Sequence, residues 1–190
     1  MIKDLLGCDH GRVVADVNVL AKAGAQWIAA RGRWPKVPPD LRPLDAAAIA
    51  ICADADEWQL WVSDELLRLT AAVLRGQIGN EFADESAIPA GDVDRYLAEL
   101  EQVVEDSRGG RVRPRLRVTN LVGDSEDDAN VASLAASVKA DVVISWDSKV
   151  RGLGLRALPV EHGLDKEVRF VSCGDFVQHV HNVRTAQGGW

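Results

Sequence analysis

Three aspartates stand where apolar runs meet helices. Asp16 follows Val13-Val14-Ala15, Asp147 follows Val142-Val143-Ile144 by three residues, and Asp128 opens a stretch with Val131, Leu134, Ala135 and Val138 at helical spacing. Carboxylates gathered in one cleft repel one another and resist desolvation, so without a cation the cluster destabilises the fold. A hard divalent cation, Mg²⁺ or Mn²⁺, removes that penalty, because it takes oxygen ligands and keeps several waters. Such ions serve phosphodiester hydrolysis: they lower the pKa of a bound water and neutralise charge on the phosphate. A competing reading gives the same acids local jobs. Asp16 is then a helix N-cap, Ser125-x-x-Asp128 a capping box and Asp147 a turn residue.

The elements that must position these acids can be read in order. Residues 1–11 form an N-terminal extension, Arg12–Ala15 a strand, and the chain from Asp16 to about Ala30 a helix. Gly32–Pro43 is a loop rich in proline and arginine. Leu44–Ala53 reads as a helix and Trp58–Val62 as a second strand. Ser63-Asp64-Glu65 caps a helix that runs towards Gly76. Ala83–Ala90 is a connector, and Asp92–Ser107 is a helix with Val93, Tyr96, Leu97, Leu100 and Val103-Val104 on its apolar stripe. Strands follow at Arg115–Val118, Asp141–Ser145 and Val168–Val171. A closing helix spans Asp175–Val183, and residues 185–190 form a frayed tail. Strands alternating with helices predict an α/β fold around a mostly parallel sheet. In such a sheet, ligands bind beyond the carboxyl ends of the strands, which is where Asp16 and Asp147 fall.

At 190 residues the chain is expected to form one domain, 1–190. No apolar run approaches the roughly 20 residues that span a membrane, and the first six residues are too polar for a signal peptide. A cytoplasmic location and no membrane partner are expected. The three cysteines are widely spaced and form no CxxC, so they read as plain thiols. No glycine-rich phosphate loop follows a strand, which removes the main support for dinucleotide or nucleoside-triphosphate binding. A net charge of −7 argues against a protein whose whole face binds nucleic acid, but not against a local basic track. Arg111, Arg113, Arg115 and Arg117 alternate. In an extended run they would share one side and could follow a phosphate backbone. A solvated connector fits them equally well. Trp146 reads as core packing, with base stacking as the alternative, and His179-x-His181 reads as surface helix.

Arg12-Val13-Val14-Ala15-Asp16-Val17-Asn18-Val19-Leu20 resembles the opening strand and D-x-N-x-L of PIN domains. Asp128-x-x-Val131-x-x-x-Ala135, followed by Ala140-Asp141-Val142-Val143-Ile144-Ser145-Trp146-Asp147, resembles their second acidic helix and the strand ending in S-x-D. Val168–Phe176 is similar to their final strand and helix. The resemblance covers Arg12 to Val177. It implies a three-layer α/β/α sandwich and a Mg²⁺- or Mn²⁺-dependent endoribonuclease acting on single-stranded RNA. It also implies kinship with the toxin components of bacterial toxin–antitoxin pairs, hence an antitoxin protein as partner; a homo-oligomer is compatible with it. Asp16, Asp128 and Asp147 would be metal ligands, Asn18 would orient Asp16, and Ser145 would hydrogen-bond within the site.

One position departs from that pattern. The family's helix glutamate falls at Leu69, in a register expected to face the site; Glu65, one turn earlier, is the candidate substitute. Glu65 is equally a first-turn acid that favours the helix dipole. The departure keeps two alternatives open: a catalytically weakened PIN-like domain that binds RNA or a protein, and an α/β domain whose acids are only caps.

Overall fold

The computed structural model describes residues 10–36, 44–54, 57–78, 87–115, 126–153 and 168–188. Its centre is a sheet of five strands: β1 (Gly11–Ala15), β2 (Trp58–Val62), β3 (Gly110–Arg111), β4 (Val142–Ile144) and β5 (Arg169–Val171). Every pairing is parallel, in the order β3-β2-β1-β4-β5. Val13 and Val14 pair on both sides, Val13 opposite Leu60 of β2 and Val142 of β4, Val14 opposite Trp61 and Val143.

Successive side chains of a strand point to opposite faces. In β1, Val13, Val14 and Ala15 are all buried, and so are all three residues of β4, so both faces of the central sheet are covered. The cover comes from α1 (Val17–Ala29), α2 (Leu44–Asp54), α3 (Asp64–Leu74), α4 (Ala90–Asp106), α5 (Glu126–Val138), α6 (Ser148–Leu153) and α7 (Cys173–Ala186). Helix α1 packs on α2, α3 and α4, and α2 also meets α7, while α5 lies against β1. The arrangement is α/β and compatible with a three-layer sandwich. No helix among the described residues is long and apolar enough to cross a membrane.

Local chemistry explains the starts of the helices that matter here. Asp16 caps α1, accepting from Val17 N–H, and Ser63 caps α3, accepting from Leu66 N–H. The Ser172–Asp175 pair forms a reciprocal capping box on α7.

Several sequence expectations are corrected. Strand β3, at Gly110–Arg111, was not anticipated, and Arg115, the first residue of the strand expected at Arg115–Val118, lies outside any strand. Gly109 decides where β3 falls: a Cβ there would stand 1.7 Å from the Leu60 carbonyl oxygen, so only glycine lets the chain turn out of α4 against β2. Pro114, with no N–H to give, cannot extend the ladder. Residues 116–118 lie outside those described, as does the 1–9 part of the N-terminal extension. Helix α7 runs to Ala186, into the region expected to fray. His179 is buried at 3% exposure, edge-on to Trp58, rather than on the surface. Helix α6, between β4 and β5, was not anticipated.

Candidate active site at the strand-order reversal

From β1 the chain builds outwards through β2 to β3, then crosses to β4 and β5 on the other side. The order therefore reverses between β1 and β4, and their carboxyl ends splay around a crevice where open α/β sheets bind ligands. Asp16 and Ser145 are the next residues after these two strands. Asp16 N–H still donates to Ile144 O at 2.9 Å, which holds the two ends together.

Asp16 is 4% exposed. Val17 N–H donates to its Oδ1 at 2.6 Å. Asn18 Nδ2 and Ser145 Oγ donate to its Oδ2 at 2.8 and 2.6 Å. Ser145, fully buried, is the hub. Its hydroxyl donates to Asp16 and accepts from Asp147 N–H at 3.0 Å and from Asn18 Nδ2 at 3.5 Å, so its whole donor and acceptor capacity is used. Asn18 in turn accepts from Trp146 N–H at 3.2 Å through Oδ1. The structure thus joins Asp16, Asn18 and Ser145 into one buried unit and ties the backbone of residues 146 and 147 to it. Asp16 is an N-cap as well, so the local reading of this residue is true without being complete.

Burial pushes the Asp16 carboxyl up, to about 6. Ser145 and the Val17 N–H oppose the rise, the Asp128 charge adds to it, and Asn18 opposes it least. Asp128 therefore lies within electrostatic reach of Asp16, carried there by α5 against β1. Its expected capping partner Ser125 lies outside the described residues. Asp147 is half-buried at the start of α6, where its carbonyl accepts from Arg151 N–H at 3.0 Å. Among the described residues, no three His, Cys, Asp or Glu side chains are grouped so as to hold a metal ion.

The donor set fits Mg²⁺ or Mn²⁺ in a looser form. Such an ion binds through one or two carboxylates and retains waters. Asp16 and Asp128 supply two carboxylates whose mutual repulsion a cation would relieve. Asp16 Oδ1 accepts a single hydrogen bond, so it keeps acceptor capacity.

The two α3 positions are differently occupied. Leu69 is 4% exposed within the hydrophobic core, so its position does not open to solvent, and a glutamate there would need compensation for its buried charge. Glu65 is half-buried and held by Arg68 at 2.6 and 2.9 Å, which lowers its pKa.

Sequence reasoning missed Asp45. It is 4% exposed in the first turn of α2 and accepts from Gln26 Nε2 at 2.9 Å, Cys173 Sγ at 3.5 Å and the Trp146 indole N–H. Lys22 Nζ lies 5.0 Å from the centre of the Trp146 ring. Trp146 is therefore tied at its indole N–H, approached by Lys22 at its ring, and packed partly against the core. Nothing in the Ala-rich sequence around Asp45 marks it. Comparison with protein-family models, curated proteins and solved structures finds no match for this chain.

Proposed function

We propose that the protein is a PIN-like, Mg²⁺- or Mn²⁺-dependent endoribonuclease that hydrolyses phosphodiester bonds in single-stranded RNA. The observation that carries this reading is the buried Asp16, held by Asn18 and Ser145 at the strand-order reversal with Asp128 in electrostatic reach. When bound, the cation would supply charge neutralisation at the phosphate and a more acidic water. The chain's own residues do the rest. Asn18 and Ser145 fix the Asp16 carboxylate in one orientation, Asp128 offers a second set of oxygens, and Ser145 positions the backbone from which Asp147 projects. Capping alone accounts for Val17 N–H on Asp16. It does not call for two further side chains on the same carboxylate. The toxin–antitoxin setting rests on the resemblance alone.

The test is cleavage of single-stranded RNA with Mn²⁺ and with chelator. Parent protein should cleave only with the ion, and Asp16→Asn or Asp147→Asn should abolish cleavage. Full activity in both variants would remove the site. A second reading, a PIN-like domain that binds RNA without efficient cleavage, is favoured by one observation: Glu65 is engaged by Arg68 while Leu69 is core, so neither supplies a free acid from α3. Binding without cleavage by the parent protein would select it.

A further inference from the structure

After β3 the chain crosses from the edge of the sheet to α5. Two bonds anchor the crossing: Val112 N–H donates to Val62 O at 2.9 Å, and Arg115 N–H to Ser137 Oγ at 3.0 Å. Val112 packs partly against the core, while Arg111, Arg113 and Arg115 are exposed. Below the crossing lies an open cleft of about 470 Å³, whose lining includes Ser63, Asp64, Glu65, Arg113, Arg115 and Asn130.

The charges in this cleft are not evenly matched. Among the described residues its two acids are already engaged from outside it. Asp64 accepts from Arg111, which also bonds Glu101, and Glu65 accepts from Arg68. Among the described residues no acid is bonded to Arg113 or Arg115. Two guanidinium groups, each a planar fork suited to phosphate oxygens, are left facing solvent.

The cleft adjoins the Asp16 site. Val14 is opposite Trp61, so in the same register Ser63, the residue after β2, falls beside Asp16, the residue after β1. Asn130 belongs to α5, the helix that also carries Asp128. A strand lying over Asp16 would continue along the same sheet edge into the cleft.

We infer that Arg113 and Arg115 form a subsite for the sugar–phosphate backbone of single-stranded RNA, next to the Asp16 site. The inference builds on the endoribonuclease reading for the identity of the strand. A protein partner fits less well, because docking surfaces need apolar and aromatic anchors. Ile78 is the one exposed large hydrophobic residue among those described, and it is not in the cleft. Among the described residues the lining contains no aromatic ring on which a base could stack. The subsite therefore reads phosphates and is indifferent to base sequence.

The test measures binding of a short fluorescent oligouridylate in chelator, using full-length protein carrying Asp16→Asn, so that cleavage plays no part. Each phosphate contact to a single strand adds about 0.7 to the slope of log affinity against log salt. Adding Arg113→Ala and Arg115→Ala should flatten that slope by about 1.4, while Arg113→Lys with Arg115→Lys should keep it. Arg33→Ala with Lys36→Ala removes the same charge beyond the far end of α1 and should leave the slope unchanged. An unchanged slope in the Arg113/Arg115 alanine variant, or an equal flattening in the Arg33/Lys36 control, overturns the inference. So does an oligoglutamate peptide that competes as well as RNA, since that would mark an acidic protein as the occupant. Any of these results leaves the Asp16 site standing. Conversely, a parent protein that fails to cleave RNA leaves this binding measurement intact.

Discussion

Asp16 and Asp45 are two buried carboxylates with the same exposure, 4%, and three hydrogen-bond donors each. They sit on either side of Ser145-Trp146: Ser145 donates to one and Trp146 to the other. Their surroundings differ. Asp16 stands at the end of a strand, at the crevice, with a second acid in reach. Asp45 stands in a helix turn, bound to an indole, an amide and a thiol, and links α2 to α1, to Trp146 and to α7. A buried acid with several hydrogen bonds is therefore not by itself a site. Position at the strand-order reversal and a like charge nearby are what separate the candidate ligand from the structural acid.

The largest expected effect tests the structural half of that contrast. Asp45→Ala leaves the Gln26 amide and the Trp146 indole without their acceptor in a buried place. It should destabilise the fold by about 3 kcal/mol, read by urea unfolding. A loss of under about 1 kcal/mol would show that the network is not holding α1, α2 and α7 together.

Next comes a pH effect that belongs to Asp16. Its carboxyl is raised from 3.8 to about 6 in the folded protein. Between those values the folded chain holds a proton that the unfolded chain has released, so metal-free stability falls as pH rises through this window. The penalty is absent below about pH 4 and complete above about pH 6. It should reach up to about 3 kcal/mol, measured as the difference between parent and Asp16→Asn, because other acids titrate in both. Parallel stability curves for the two proteins would mean that burial does not burden this carboxylate.

The smallest effect isolates the like charge. Asp128→Asn keeps the shape and removes the repulsion, so the metal-free variant should be more stable than the parent by less than about 1 kcal/mol. Mn²⁺ should then raise the parent's melting point more than the variant's, since binding to the folded state stabilises it and one ligand charge is gone. Identical responses to Mn²⁺ would take Asp128 out of the site.

What the sequence determined by itself was local. The apolar run before Asp16, the span of β2 and the Ser63 cap are governed by residues a few positions apart, and each lies where the pattern puts it. The same holds for the companions of Asp16, since Asn18 and Ser145 lie next to strand ends whose direction the alternation of strands and helices predicts. Tertiary structure alone decided the rest. Strand β3 fell at Gly110–Arg111 because the edge of β2 accepts the backbone there and Gly109 permits the approach. Arg111 left the basic track because Asp64 and Glu101, remote in sequence, neutralise it. Leu69 and His179 were buried by the helices and rings that pack over them, and Asp45 became a hub because Gln26, Trp146 and Cys173 converge on it. Helical period and caps depend on near neighbours; burial and charge pairing depend on which distant surfaces meet, and a single sequence does not contain that pairing in readable form.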